Sequence, residues 1–497
     1  MIVQSDGGTI IRSRKRRKAR HSNMSFSAYP FLFRHAILPT LDRVNGTRVS
    51  QTHRFLEESQ WFPRERLFAL QMEKLEKILE FTQKNSSFYR QHWQSATDDR
   101  RATSHFPALD GMPIVTKDDL RAADGAFPIA GAPGGRVIKV KTSGSTGEPM
   151  TYLRSAVQDS WFWALRIRMW QWAGYTPGEP YLTLNLNART AWHKRLQDVL
   201  FRCDYHGFNA NQNDVHAVLR DLDRHKVSTL VGYSSSLYLL SQAMRRLGHN
   251  RHHVKGILAT GDTLFPDYRQ HIEETFNAGV FDYYGAGGEG FHVASQCEER
   301  GLYHLHIENS VIEILCGSRP AEPGEMGEVV VTQLDNHAMP LIRYATGDTA
   351  VPAAADAVCA CGRQLPLIEG IRGRVPDTVF APDGSALVVH FFTILFENLS
   401  GIRHFQIVQK EADRIVAHIV RLADFDQAKI EDEVRRAVDE ATSGTLAVAF
   451  EYPDEIPLAR SNKRRLVVSE IESGPFAVHA PIEDRRVEAP TCPPGSE

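Results

Sequence analysis

Between residues 137 and 284 short apolar, β-branched runs alternate with stretches of helical periodicity, and this alternation limits the possible folds more than any other feature of the chain. The runs Val137 to Val140, Tyr181 to Leu186, Thr229 to Tyr233, Val254 to Ala259 and Val280 to Tyr284 are too short for helices and predict strands. Between them, Ser155 to Ala173, Asp214 to His225, Ser236 to Leu247 and Asp267 to Phe276 predict helices. Strands that alternate with helices form βα units on a largely parallel sheet, so the fold class is α/β. Trp161, Trp163, Leu165, Met169 and Trp172 fall mostly at helical spacing and read as core rather than as a cofactor box.

The flanking regions differ in texture. Residues 51 to 95 carry apolar positions three and four apart and predict a mostly helical leading region. From about residue 302, Ile312-Glu-Ile-Leu and Glu328-Val-Val-Val-Thr predict a β-rich subdomain closing the large domain. After Gly370 a hairpin (Phe405-Gln-Ile-Val, Ile415-Val-Ala-His-Ile-Val), a helix with the stripe Phe425, Ile430, Val434, Ala437 and Val438, and a strand Leu446 to Phe450 predict a compact α+β unit. The expected division is a disordered basic tail over 1–23, a large domain with mixed sheets over 24–371, a small domain over 372–472 and a loose tail over 473–497. Met24 offers a second start.

Charge and cysteine content narrow the function classes. Lys plus Arg number 58 against 60 Asp plus Glu, a net charge of -2, so there is no whole-molecule basic field for nucleic acid. The run Arg14-Lys-Arg-Arg-Lys-Ala-Arg20 is the local exception and reads as a solvated tail before it reads as a nucleic-acid or membrane contact. No apolar run reaches the ~18 to 20 residues of a transmembrane span. Six cysteines are too few for a disulfide framework and predict a cytoplasmic protein.

Four segments carry chemistry. Lys141-Thr-Ser-Gly-Ser-Thr-Gly-Glu-Pro-Met150 follows a predicted strand, and its glycines, hydroxyls and backbone N–H groups suit phosphate oxygens. It is not a Walker loop, because no Gly-Lys pair occurs in the chain. Asp282-Tyr-Tyr-Gly-Ala-Gly-Gly-Glu-Gly290 also follows a strand, and Gly285, Gly287 and Gly290 fit the dinucleotide fingerprint, although the following helix is interrupted at Gly301 and no terminal acidic residue stands at the expected distance. The alternative is a pocket in which Tyr284 packs on a base and Glu289 holds magnesium. Met339-Pro-Leu-Ile-Arg-Tyr-Ala-Thr-Gly-Asp348 and Gly370-Ile-Arg-Gly-Arg-Val-Pro-Asp377 complete the set, with a carboxylate on a Gly-Asp turn able to accept ribose hydroxyls.

In order and spacing these segments resemble the adenylate-forming acyl-CoA synthetase superfamily, most closely its phenylacetate-CoA ligase family, including the branch linked to capsular polysaccharide synthesis. The resemblance runs from about residue 50 to 470. It implies that Thr142, Ser143, Gly144, Ser145, Thr146 and Gly147 hold the pyrophosphate-side oxygens of ATP. Tyr284 with Gly285 would meet the adenine, Asp348 with Arg374 the ribose, and Glu289 the magnesium ion. Lys463, in Arg460-Ser-Asn-Lys-Arg-Arg465, matches the catalytic lysine of the small domain, which would act as a mobile lid turning about Arg374, Pro376 and Asp377. The chain departs from the family in one extra residue between Tyr284 and Glu289, in Asn462 for glycine, and in Pro376 for a frequent hinge aspartate. The implied reaction is ATP-dependent activation of a carboxylic acid as its adenylate, followed by transfer to coenzyme A. The alternatives are a non-CoA acceptor and a nucleotide-binding homologue that has lost catalysis. Residues 232–238, 260–263 and 283–288 are the expected acyl pocket.

Cys359-Ala-Cys361-Gly-Arg forms a knuckle whose two thiolates can share a zinc ion, with Cys297 and His304 as candidate third and fourth ligands and His306 as a substitute. Free buried thiols are the other reading.

Overall fold

The computed structural model describes residues 28–95, 101–123, 127–129, 131–141, 151–185, 199–207, 212–249, 254–286, 290–374, 378–383, 386–388, 391–392, 395–396, 399–456 and 465–471. A twelve-stranded mixed sheet dominates. In spatial order its strands are Arg319–Pro320, Ser310–Cys316, Gly327–Gln333, Tyr344–Pro352, Leu367–Arg374, Tyr303–Leu305, Phe291–Gln296, Val280–Ala286, Gly256–Thr260, Thr229–Tyr233, Tyr181–Asn185 and Cys203–Gly207. The last five run parallel, as the alternation predicts, but its first run, Val137–Lys141, stands apart and pairs antiparallel with Thr151–Ser155 in a two-stranded sheet. The β-rich region is no separate subdomain: Val280–Ala286 pairs in parallel with Gly256–Thr260 and antiparallel with Phe291–Gln296, which makes one continuous sheet.

Successive residues of a strand face opposite sides, and the parallel half uses both. Leu230, Ile257 and Val280 pack under the helices Gln212–His225, Ser234–Arg246 and Pro266–Phe276 through Val218, Leu240 and Ile272. Their neighbours Val231, Leu258 and Phe281 pack against Met169 and Trp170 of the helix Ala156–Trp172. This is the core role expected for that aromatic stretch. The antiparallel half is covered by the helix Arg64–Asn85, whose Leu67, Leu75 and Ile78 meet Val293, Val311 and Val329.

Where that covering passes over the sheet, a buried ionic network replaces apolar packing. Arg168, 1% exposed, donates to Glu308 Oε1 at 2.6 Å and bonds His306 Nδ1 at 2.8 Å, while Ser59 Oγ donates to the same carboxylate at 2.9 Å. Burial pulls the Glu308 pKa up, but the charge and hydrogen bond of Arg168 outweigh it and hold the carboxyl below its usual range. Nearby, His292 lies flat on Phe162 with ring centroids 4.5 Å apart. Burial, helped by the charges of Arg166 and Arg154, pushes its imidazole down to about 3.

The carboxy-terminal region forms a four-stranded sheet in the order Ala447–Glu451, Arg414–Arg421, Ile402–Glu411, Val467–Ser469. The helix Gln427–Ala441 lays Ile430, Val434 and Val438 on it, and Asp426 caps that helix by accepting from the Lys429 N–H at 3.2 Å. Among the described residues no helix is long and apolar enough to cross a membrane.

Two outcomes follow from the buried charges. Arg168→Met leaves the Glu308 carboxylate enclosed without its cation and should cost about 3–5 kcal/mol in denaturant unfolding. His292 is neutral in both states above its ordinary value of 6.5. As pH falls from there toward 3, only the unfolded chain takes up the proton, so stability drops by up to about 1.4 kcal/mol per pH unit. His292→Phe should make the acid limb of the stability profile shallower.

Candidate active site

Val280–Ala286 is the strand at which the sheet changes from parallel to antiparallel, and Tyr284 lies on it beside a register shift to Gly285. The Tyr284 hydroxyl donates to Asp348 Oδ2 at 2.7 Å and lies 3.1 Å from Thr346 Oγ1. Asp348 stands on Tyr344–Pro352 directly after Gly347, whose φ of +76° places it in the left-handed region that glycine tolerates. In the antiparallel register Asp348 is the Cα partner of Arg374. Three of the residues expected to meet adenine and ribose, on sequence segments far apart, are therefore adjacent. The structure adds the Tyr284–Asp348 hydrogen bond, for which the sequence carries no signal.

The strands on either side of the hydroxyl-rich segment, Val137–Lys141 and Thr151–Ser155, pair antiparallel with Lys141 opposite Thr151. Thr142, Ser143, Gly144, Ser145, Thr146 and Gly147 lie outside the described residues, as do Glu289, Pro376, Asp377 and Lys463. Of Arg374 the backbone is described.

The described residues of the expected acyl pocket converge at the carboxy-terminal ends of the parallel strands. The Ser234 N–H donates to Asp262 Oδ1 at 2.6 Å, and the Ser234 hydroxyl donates to the Asp262 carbonyl at 3.1 Å. Gly261, at φ +80°, lets Tyr233 pass so closely that a Cβ there would sit 2.4 Å from its Cε1. Beside them Tyr303 donates to Asp282 Oδ2 at 2.6 Å, and burial pushes the Asp282 carboxyl up to about 6. Asp262 falls within the expected stretch 260–263 and Asp282 opens the segment Asp282–Gly290, but the sequence assigns neither carboxylate a role of its own; their partners Ser234 and Tyr303 come from the fold.

The arginine of the Leu-Ile-Arg-Tyr-Ala-Thr-Gly-Asp segment has a framework role. Arg343 is fully buried, salt-bridged to Glu313 at 2.9 Å, and donates to the carbonyls of Ala102, Leu109 and Met112. It ties the leading loop to the strand that carries Asp348.

The second constellation lies across three neighbouring strands. Cys297 follows Phe291–Gln296, His304 is on Tyr303–Leu305, and Cys359 and Cys361 are on the turn before Leu367–Arg374. Their ligand atoms all lie within 4.8 Å of one another. Cys297 Sγ is 3.5 Å from Cys359 Sγ, and Cys361 Sγ is 3.5 Å from His304 Nε2. A tetrahedral zinc ion with about 2.3 Å bonds to sulfur and 2.0–2.1 Å to nitrogen sets its ligands about 3.5–3.8 Å apart, so the donor set fits. Burial, with Arg363 and Arg168 nearby, pushes His304 down to about 4, which keeps its ring neutral and a lone pair available. The same burial pushes the Cys297 and Cys359 thiols up, a cost that a cation would reverse. Around the knuckle, the Arg363 backbone N–H faces Cys361 Sγ at 3.5 Å, and its Nη1 donates to both Glu298 carboxylate oxygens at 2.9 and 2.8 Å. His306 takes no part, because its ring is held by Arg168 and Ser295.

Residues 379–470 match the CapK C-terminal domain family. The chain is 22% identical to Protein CapK of Staphylococcus aureus over 427 residues, covering 82% of this chain and 90% of the relative. It is 23% identical to phenylacetate-coenzyme A ligase of Thermus thermophilus over 445 residues, covering 83% and 98%. The chain is phenylacetate-CoA ligase-like. Its fold is that of the adenylate-forming ligases: the crystal structure of 2-hydroxyisobutyryl-CoA ligase in the postadenylation state, in complex with 2-HIB-AMP, superposes with a TM-score of 0.61 at 20% identity, over 82% of this chain and 90% of that one. In this phenylacetate-CoA ligase-like chain the Cys/His cluster draws on Phe291–Gln296, Tyr303–Leu305 and the turn before Leu367–Arg374, strands that lie between those of Tyr284 and Asp348 in the sheet.

The cluster has a direct check. Purified protein should carry about one zinc per chain by elemental analysis, and Cys359→Ser with Cys361→Ser should remove it and lower the melting temperature.

Proposed function

We propose that the protein uses ATP to activate a carboxylic acid as its acyl-adenylate and then passes the acyl group to coenzyme A. The observation that carries this reading is the convergence of Tyr284, Asp348 and Arg374 at the switch strand of an adenylate-forming fold. A carboxylate is a poor electrophile, and linking it to AMP supplies a good leaving group. The carboxylate oxygen attacks the α-phosphorus, the bond to pyrophosphate breaks, and pyrophosphate leaves with the electron pair. The coenzyme A sulfur then attacks the acyl carbon and AMP departs.

In this reading residues 142–147 hold the phosphate oxygens through backbone N–H and hydroxyl donors, Tyr284 packs on the adenine, and Asp348 accepts from the ribose beside Arg374. Glu289 would hold a magnesium ion, which when bound offsets negative charge on the phosphoryl groups. Lys463 would donate to the oxygens that gain charge in the first step. The large domain (24–371) would bind ATP and acid, and the small domain (372–472) would turn about Arg374, Pro376 and Asp377 to exchange Lys463 for a face that admits the thiol. The Cys297, His304, Cys359 and Cys361 set would hold structural zinc, because four protein ligands leave no open position for chemistry.

A second reading keeps the first step and passes the acyl group to an acceptor other than coenzyme A. Exchange of labelled pyrophosphate into ATP, dependent on added carboxylic acid, tests the first step, and consumption of coenzyme A separates the acceptors. Lys463→Ala should slow adenylate formation about 10²–10³-fold, the scale of losing one transition-state donor. A wild-type rate in that variant would remove Lys463 from the mechanism, and absence of exchange over aromatic, fatty and amino acids would remove the proposal.

A further inference from the structure

The three thiols of the Cys/His cluster differ in access and in neighbours. Cys297 is 0% exposed and sits in a turn closed by the Arg300 N–H, which donates to its carbonyl at 2.9 Å. Cys359 and Cys361 are half-buried on a turn that meets solvent: Val358 is 77% exposed, and Ala360 and Gly362 are exposed as well. Cys361 Sγ is occupied on two sides, by the Arg363 backbone N–H at 3.5 Å and by His304 Nε2 at 3.5 Å. Cys359 Sγ has another sulfur beside it instead, that of Cys297 at 3.5 Å. A small reagent arriving from solvent thus finds an accessible sulfur with a second, enclosed one within reach.

We propose that the cluster is a peroxide-responsive switch, in which Cys359 is oxidised and Cys297 resolves it as a disulfide. Sulfur held by a metal ion is a thiolate, the form that attacks an electrophile. The Cys359 thiolate attacks one oxygen of hydrogen peroxide, the O–O bond breaks, and the departing hydroxide takes a proton to become water. Cys359 is then a sulfenic acid, which condenses with a neighbouring thiolate. The Cys297 sulfur attacks the Cys359 sulfur, the S–O bond breaks, and the second hydroxide leaves as water. Each sulfur has given up one electron, and peroxide has become two waters. The sulfurs must close by roughly 1.5 Å to reach the disulfide length.

The bridge withdraws two of the four donors, and Cys361 with His304 alone make an open, weak metal site. Phe291–Gln296, which leads into Cys297, pairs with the strand of Tyr284, and Leu367–Arg374, which follows Cys359, pairs with the strand of Asp348. Movement at the cluster therefore reaches the candidate active site from both sides, and oxidation slows adenylate formation. That last consequence rests on the reaction proposed above.

The test treats the zinc-loaded full chain with hydrogen peroxide, follows metal release with a chromogenic chelator, blocks remaining thiols with N-ethylmaleimide and maps the peptides. Release of about one zinc per chain is expected, together with a Cys297–Cys359 cross-link, a blocked Cys361, and recovery on adding dithiothreitol and zinc. Acid-dependent pyrophosphate exchange should fall about fivefold or more in step with the release. Protein that carries no zinc as purified, zinc that stays bound while Cys359 is oxidised, a Cys359–Cys361 bridge, or oxidation that dithiothreitol does not reverse overturns the switch. Exchange at the untreated rate in the bridged, zinc-free protein overturns its link to the active site. Absence of exchange before treatment would instead count against the proposed reaction, while the peptide map and the zinc release still decide the switch.

Discussion

The backbone of Val280–Ala286 is hydrogen-bonded on both sides under two different rules, and most of the architecture hangs on that one strand. On one side it completes a parallel array that requires helical crossovers and buries both faces. On the other it begins an antiparallel series joined by short connections. A strand that serves both patterns cannot slip by one residue without turning Phe281 away from Met169 and Trp170 on one face and Val280 away from the helices on the other. Register is thereby fixed where Tyr284 must point. In open α/β sheets ligands collect where the connectivity changes, at the carboxy-terminal ends of the strands, and here Tyr233, Ser234, Gly261, Asp262 and Tyr284 share that region.

Charge is buried in the framework on the same logic. Arg343 and Arg168 are both large and almost fully enclosed, and each is matched to one carboxylate and to further acceptors. Arg343 joins a loop at residues 102–112 to the strand of Asp348, and Arg168 joins the helix Ala156–Trp172 to the segment after Tyr303–Leu305. Such pairs add little net stability compared with apolar packing, but removing one partner is costly. They therefore act more as locators of distant segments than as sources of stability.

Much of the fold was legible in the sequence because each buried strand carries its own apolar run. Thr229–Tyr233 appeared with its observed bounds, and the flanking helices agreed to within two residues. Cys203–Gly207 was not anticipated, since Cys-Asp-Tyr-His-Gly is a polar edge strand paired on one side and needs no apolar signature. The continuity of the sheet was also out of reach, because it depends on the pairing of Val280–Ala286 with two partners rather than on any local pattern. The Cys/His set was accessible because thiols are rare in this chain and His304 lies on the strand beside Cys297. The choice between His304 and His306 was not, since it turns on Arg168, more than a hundred residues earlier, occupying His306.

The Tyr284–Asp348 hydrogen bond alters what nucleotide recognition can contribute at that position. A carboxylate can accept about four hydrogen bonds, so the one that Tyr284 donates at 2.7 Å does not exhaust Asp348. In the proposed reaction a ribose hydroxyl would meet a carboxylate whose direction the tyrosine has already set, and the cost of orienting it would fall on the folding of the sheet instead of on binding.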